Sequence, residues 1–132
     1  MKFLVSLITD ESRPGAMTPE EMRQMGEEMG RVMSELEAAG ALVDMGAKLG
    51  PSAAARTLRY GERGKAVVTD GPFAESKEQM AGYMVLECED ADEALGWAQK
   101  LPVGGSASAI EVRPIADSPE ENAEAYKEAR GS

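Results

Sequence analysis

The chain opens MKFLVSLITDE (residues 1–11). Read with the two-residue period of a strand, Phe3, Val5 and Leu7 point one way, and Leu4 and Ile8 point the other. Both sides are apolar, so Lys2 to Thr9 reads as a strand buried on both faces. The fold must therefore supply two covers for it. The first is legible just downstream. After a loop over Asp10 to Ala16, Thr18-Pro19-Glu20-Glu21 carries a cap, a first-turn proline and a glutamate three residues past the cap. The helix they start runs to about Ala39 and stops at Gly40. Inside it Met22, Met25, Met29, Val32, Met33 and Leu36 recur at spacings of three and four. That is the stripe of a helix lying on a sheet, and the glutamates between them form its solvated side.

Ala41 to Lys48 reads as a second strand, broken by Gly50-Pro51-Ser52. Arg56 to Tyr60 and Lys65 to Thr69 read as short strands joined through Gly61-Glu62-Arg63-Gly64, a hairpin connection. Ala81 to Cys88 is a central strand. Asp90 and Glu93 cap a helix carrying Ala94, Leu95, Ala98 and Leu101, which ends at Pro102 and Gly104-Gly105. Ser108 to Ile115 is the last strand. Ser118-Pro119-Glu120-Glu121 begins a polar tail helix with Tyr126 as its one large apolar anchor. The order predicts an α+β fold: a ferredoxin-like antiparallel sheet with helices on one face and an extra hairpin in the middle. Residues 1–116 form the domain and 117–132 a C-terminal helical tail. Helices on one face leave the other side of the first strand uncovered. A second copy, packed face to face, is the simplest cover, so a homodimer is expected.

Composition narrows the function. The 132 residues carry a formal charge of −10 and no histidine. Nucleic-acid affinity comes from Lys and Arg neutralising phosphates, so nucleic acid and anionic membrane surfaces are not expected partners. Without histidine the commonest metal ligand and the commonest general base are both missing. The acidic residues show no ligand spacing, and no phosphate-cradling loop appears, so no metal or cofactor is expected. The one cysteine, Cys88, cannot form an internal disulfide and has no partner base; it reads as a small core residue in a reducing, cytoplasmic protein. Charge at Asp10 comes too early for a signal peptide, and no apolar run is long enough to span a bilayer.

One stretch exceeds what strands and turns require: Thr69-Asp70-Gly71-Pro72-Phe73-Ala74-Glu75-Ser76-Lys77-Glu78. It resembles the signature of the DGPF branch of the YCII-related proteins. The opening strand, Thr57-Leu58-Arg59, Gly82-Tyr83, Asp92-Glu93-Ala94-Leu95 and Ile110-Glu111-Val112-Arg113-Pro114-Ile115 resemble the same family in register. The resemblance implies a dimeric α+β barrel, two ferredoxin-like sheets enclosing a cleft. It also implies that some members are small-molecule enzymes whose site pairs an Asp with a His. Here only Asp70 matches that pair. The implied function is small-molecule binding, with acid-base lyase or isomerase chemistry at Asp70 as one form. The alternative is a non-enzymatic regulatory or accessory protein linked to an extracytoplasmic-function sigma factor, with a protein partner.

Candidate site residues follow from the same stretch. Asp70 can accept hydrogen bonds from amides just ahead of it, or present a carboxylate at a cleft. Gly71 and Pro72 shape and stiffen the turn. Phe73 plugs the core or walls a pocket, and core is the simpler reading. Glu75, Lys77 and Glu78 are solvent charges or the start of a short helical turn, and Lys77 has Asp70 and Glu75 as candidate ion-pair partners. Arg59 shares a face with Thr57, and Glu111 shares one with Arg113. If Ile110 and Val112 face the helices, Glu111 and Arg113 point into the cleft, as a structural ion pair or as an Arg for a substrate carboxylate. Tyr83 offers either a phenol to the cleft or a ring to the core.

Overall fold

The structure is a computed structural model that describes residues 1–131. Its elements run β1 (Lys2–Asp10), α1 (Pro19–Ala38), β2 (Leu42–Lys48), β3 (Arg56–Tyr60), β4 (Ala66–Asp70), β5 (Glu78–Glu87), α2 (Ala91–Lys100), β6 (Ala107–Pro114) and α3 (Pro119–Ala129). A four-stranded antiparallel sheet has the order β2-β5-β1-β6, and β3 and β4 form a separate two-stranded ribbon. This is the ferredoxin-like arrangement with a hairpin inserted between its second and third sheet strands. The tail expected over 117–132 is helical through Ala129; Ser132 lies outside the described residues.

The helices start where the capping residues place them. Thr18 and Glu21 form a reciprocal capping box, each side chain bonding the other's backbone N–H at 3.1 Å. Asp90 accepts from the Glu93 N–H at 2.9 Å, and Ser118 accepts from that of Glu121 at 3.1 Å. Phe3 and Val5 of β1, Leu86 and Met84 of β5, Leu36 and Val32 of α1, and Ala94 and Ala98 of α2 then close one core. Fully burying a side chain such as Phe3 or Leu36 contributes about 1.5–3 kcal/mol. Cys88 belongs to this core, and burial, with the Glu93 carboxylate second, pushes its thiol pKa up.

Several apolar residues expected inside lie outside. Leu95 sits one helical step off the Ala94–Ala98–Leu101 line, so it lies on the flank of α2, exposed. Met22 begins the α1 stripe beyond the reach of the core and is exposed too, while Val32 and Leu36 are buried. Tyr126 does not anchor the tail: it is 61% exposed, because α3 packs extensively on no other element. β5 begins at Glu78, earlier than the expected Ala81, because Gln79 and Met80 pair with Thr9 and Ile8.

Two local devices hold the strands in place. In β2 the register shifts around Gly46, whose φ is +70° and whose N–H bonds the Asp44 carboxylate at 2.7 Å. A Cβ on Gly46 would lie 1.6 Å from the Tyr83 carbonyl oxygen. Both the torsion and the contact demand glycine. At the end of β1, Asp10 accepts from the Ser12 hydroxyl at 2.6 Å and the Ser12 N–H at 2.9 Å. Glu11 accepts from the Ser52 N–H at 2.9 Å and from its hydroxyl, while its own N–H bonds the Lys77 carbonyl at 2.6 Å. The Ser12 hydroxyl chiefly lowers the Asp10 pKa, and the Ser52 hydroxyl chiefly lowers that of Glu11.

Gly46→Ala should destabilise the fold by at least about 2 kcal/mol, the scale of a strained left-handed residue with a backbone clash; denaturant midpoints measure it. Because the folded pKa values of Asp10 and Glu11 are depressed, their contribution is present above the ordinary carboxylate range and is lost as pH falls through the folded values. Asp10→Asn should therefore flatten the loss of melting temperature between about pH 5 and pH 3, relative to the unaltered protein.

Candidate functional site

The Asp70-Gly71-Pro72-Phe73 stretch begins on the last residue of β4. Gly71 has φ +101°, which turns the chain sharply out of the strand. Its N–H donates to the Ala55 carbonyl at 2.7 Å, and its carbonyl accepts from the Thr57 hydroxyl at 2.8 Å. These bonds close the base of the hairpin. Asp70 stands directly across the ladder from Arg56 and forms an ion pair with it at 3.4 Å. The cross-strand guanidinium, rather than the amides ahead, engages the carboxylate, so the expected local cap is not formed. The Asp70 side chain is 91% exposed.

Phe73 is not in the core: it is 76% exposed. The hairpin has no helix packed closely on it, so there is no core there to plug. Instead the Arg59 guanidinium lies 5.3 Å from the Phe73 ring centroid and donates to the Phe73 carbonyl. The following segment is tied down by the Gln79 amide, which donates to the Ala74 and Ser76 carbonyls at 3.0 and 2.9 Å. Lys77 pairs with neither Asp70 nor Glu75 among the described ion pairs; its ammonium contributes to the field that lowers the Asp10 pKa.

Asp70, Gly71, Pro72 and Glu75 do come together, lining an open cavity of about 400 Å³ with Ser52 and Gln79. Tyr83, Glu111 and Arg113 do not line it. They lie on the sheet face opposite the helices. The register proves the facing: Val5, Met84 and Val112 are paired and belong to the core side, so the next row, Ser6 paired with Tyr83 and with Glu111, faces away from it. Leu4 pairs with Val85 and Arg113 on that same open face. Arg113 reaches along its own strand to Glu111 at 2.7 Å.

The open face is thus a largely apolar surface crossed by one polar row: a phenol from β5, a hydroxyl from β1 and a carboxylate from β6. Ser6 is the residue that sequence reasoning passed over. It is 6% exposed, and no hydrogen bond joins its hydroxyl to another described group. The signal was present as the one polar side chain inside Phe3-Leu4-Val5-Ser6-Leu7-Ile8. A second, smaller cavity of about 280 Å³ lies between α2 and β6, walled by Leu95, Val103 and Ile110. Among the described residues no group of three His, Cys, Asp or Glu is placed to hold a metal ion, and no helix is long and apolar enough to cross a membrane.

Comparison with known sequences identifies the family of the chain. An uncharacterized protein of Rhizobium meliloti (strain 1021) is 38% identical over 117 residues, which cover 88% of this chain and 93% of that protein. The sequence model described as the YCII-related domain matches residues 1–119, from the first residue of the chain to the start of α3. The chain belongs to the YCII-related family.

Proposed function

We propose that the protein binds a small molecule as a homodimer, in the cleft formed where two open sheet faces meet. The observation that carries this reading is Ser6. The residue is nearly covered by the sheet, while its hydroxyl bonds no other described group and stays open on the uncovered face. A ligand seated there can bond to it, and an apolar surface with a few convergent polar groups is the usual character of a ligand site. Covering the face with its own copy uses one self-complementary patch and closes at two chains. Because Arg113 is already neutralised by Glu111, the row favours a compact, mainly apolar molecule bearing a hydroxyl or carbonyl, reached by Ser6 and Tyr83.

Acid-base chemistry at Asp70 has weaker support. General acids and bases are tuned by enclosure and by neighbours, and the Asp70 carboxylate stands in solvent beside Arg56. Its geometry supports a role at the hairpin base. A regulatory role in an extracytoplasmic-function sigma-factor system is the alternative, and there the row would be covered by protein.

Native mass spectrometry of the purified protein, followed by calorimetric titration with whatever mass it retains, tests the reading. Ser6→Ala and Tyr83→Phe should leave the dimer intact and weaken binding by about tenfold or more, roughly 1.4 kcal/mol. Equal affinity in both variants would remove the row from the site.

Asp70→Asn supplies a separate check. It should cost no more than about 1 kcal/mol, the scale of an exposed ion pair, and leave ligand affinity unchanged. A tenfold loss of affinity with stability preserved would return Asp70 to the functional site.

A further inference from the structure

The β3–β4 hairpin does something that the ligand reading does not use. Its ladder pairs Leu58 with Val68 and Tyr60 with Ala66, so these four side chains share one face, with the Arg56–Asp70 ion pair at its base. On that face Leu58 is 50%, Val68 55% and Tyr60 76% exposed. Neither strand packs extensively on any element except the other. A two-stranded ribbon in water is marginally stable at best and ordinarily needs an apolar surface to lie on. This one carries the apolar face and packs extensively on no such surface among the described residues of its own chain.

Its charge indicates what it lies on. Arg56, Arg59, Arg63 and Lys65 stand against Glu62 and Asp70, so the hairpin is net positive on a chain of net charge −10. The rest of the chain is therefore more acidic than the whole, and a basic arm is complementary to it. Phosphate-rich surfaces would attract the arm but repel the body that carries it. A second copy of this chain supplies an acidic surface and, by symmetry, an identical arm in return.

We infer that the β3–β4 hairpin is a dimerisation arm, which lays its Leu58–Tyr60–Val68 face on the acidic body of a second copy. The arm shares with the ligand reading only the homodimer, and it needs neither Ser6 nor a bound molecule.

Sedimentation equilibrium on the full chain tests it. Leu58→Ser/Tyr60→Ser/Val68→Thr should raise the dimer dissociation constant by at least about tenfold, corresponding to 1.4 kcal/mol. High salt should weaken the unaltered dimer, because opposite charges across an interface are screened. Should the triple change also disturb the ribbon itself, Tyr60→Cys gives a milder probe. Its thiol should react slowly with a maleimide when the protein is concentrated and faster on dilution through the dissociation range. A reaction rate independent of concentration overturns the arm, as does an unaltered protein that is monomeric throughout. Val85→Lys, on the open sheet face, separates the two readings. If it yields monomers while the triple variant remains as tightly dimeric as the unaltered chain, the arm is overturned and the face-to-face cleft survives. If the triple variant yields monomers and Val85→Lys does not, the arm stands and the cleft falls.

Discussion

β1 pairs on both edges, with β5 and β6, and its side chains project alternately into a core covered by α1 and α2 and onto the opposite face. The rest of the molecule is arranged around that asymmetry. Both crossover helices pack on the Phe3–Val5 side, and each joins two strands that run parallel to one another with a third, antiparallel strand between them: α1 joins β1 to β2 around β5, and α2 joins β5 to β6 around β1. Leu4, Ser6 and Ile8 are left to contacts made within the sheet itself. The alternation that makes β1 a good central strand therefore also produces an apolar surface with one polar row across it.

The candidate residues divide into two groups with different physical settings. Asp70, Gly71, Pro72 and Phe73 belong to the foot of a projecting ribbon, where ladder pairing, a left-handed glycine and a stacked Arg59 define the path of the chain. Tyr83, Glu111 and Arg113 belong to the sheet, where position is fixed by strand register and backbone freedom is small. Groups that must meet a ligand with defined direction are better held by the second setting than by the first. This is the physical reason for placing recognition on the sheet rather than at the turn.

What could be read from the sequence was what is determined locally. The caps at Thr18, Asp90 and Ser118, the glycine turn between β3 and β4, and the two-sided pattern of β1 depend on neighbours a few residues away, and all appear in the structure. The exposure of Phe73, Tyr126 and Leu95 depends on whether another element arrives to cover them, and side-chain chemistry alone carries no record of that. Gly46 lies between the two cases. A glycine inside Val43-Asp44-Met45-Gly46-Ala47 is a signal for a bulge, but the carbonyl of Tyr83 that forbids a side chain there comes from a distant strand. Of the site, the facing of Glu111 and Arg113 was legible from alternation, whereas the alignment of Ser6 with Tyr83 and Glu111 required the register of three strands.

The bond from the Gly71 N–H to the Ala55 carbonyl has a bearing on how the chain can change over time. It brings together the two points at which the ribbon leaves and rejoins the body, so the sheet experiences residues 56–70 as a closed loop of fixed span, whatever lies between. Lengthening, shortening or recomposing that segment leaves the registers of β2 and β5 untouched, and the entropy of closing a longer loop rises only logarithmically. Related chains can therefore diverge in this segment at little cost to folding, so the length and surface chemistry of the ribbon are free to vary while the sheet beneath it stays the same.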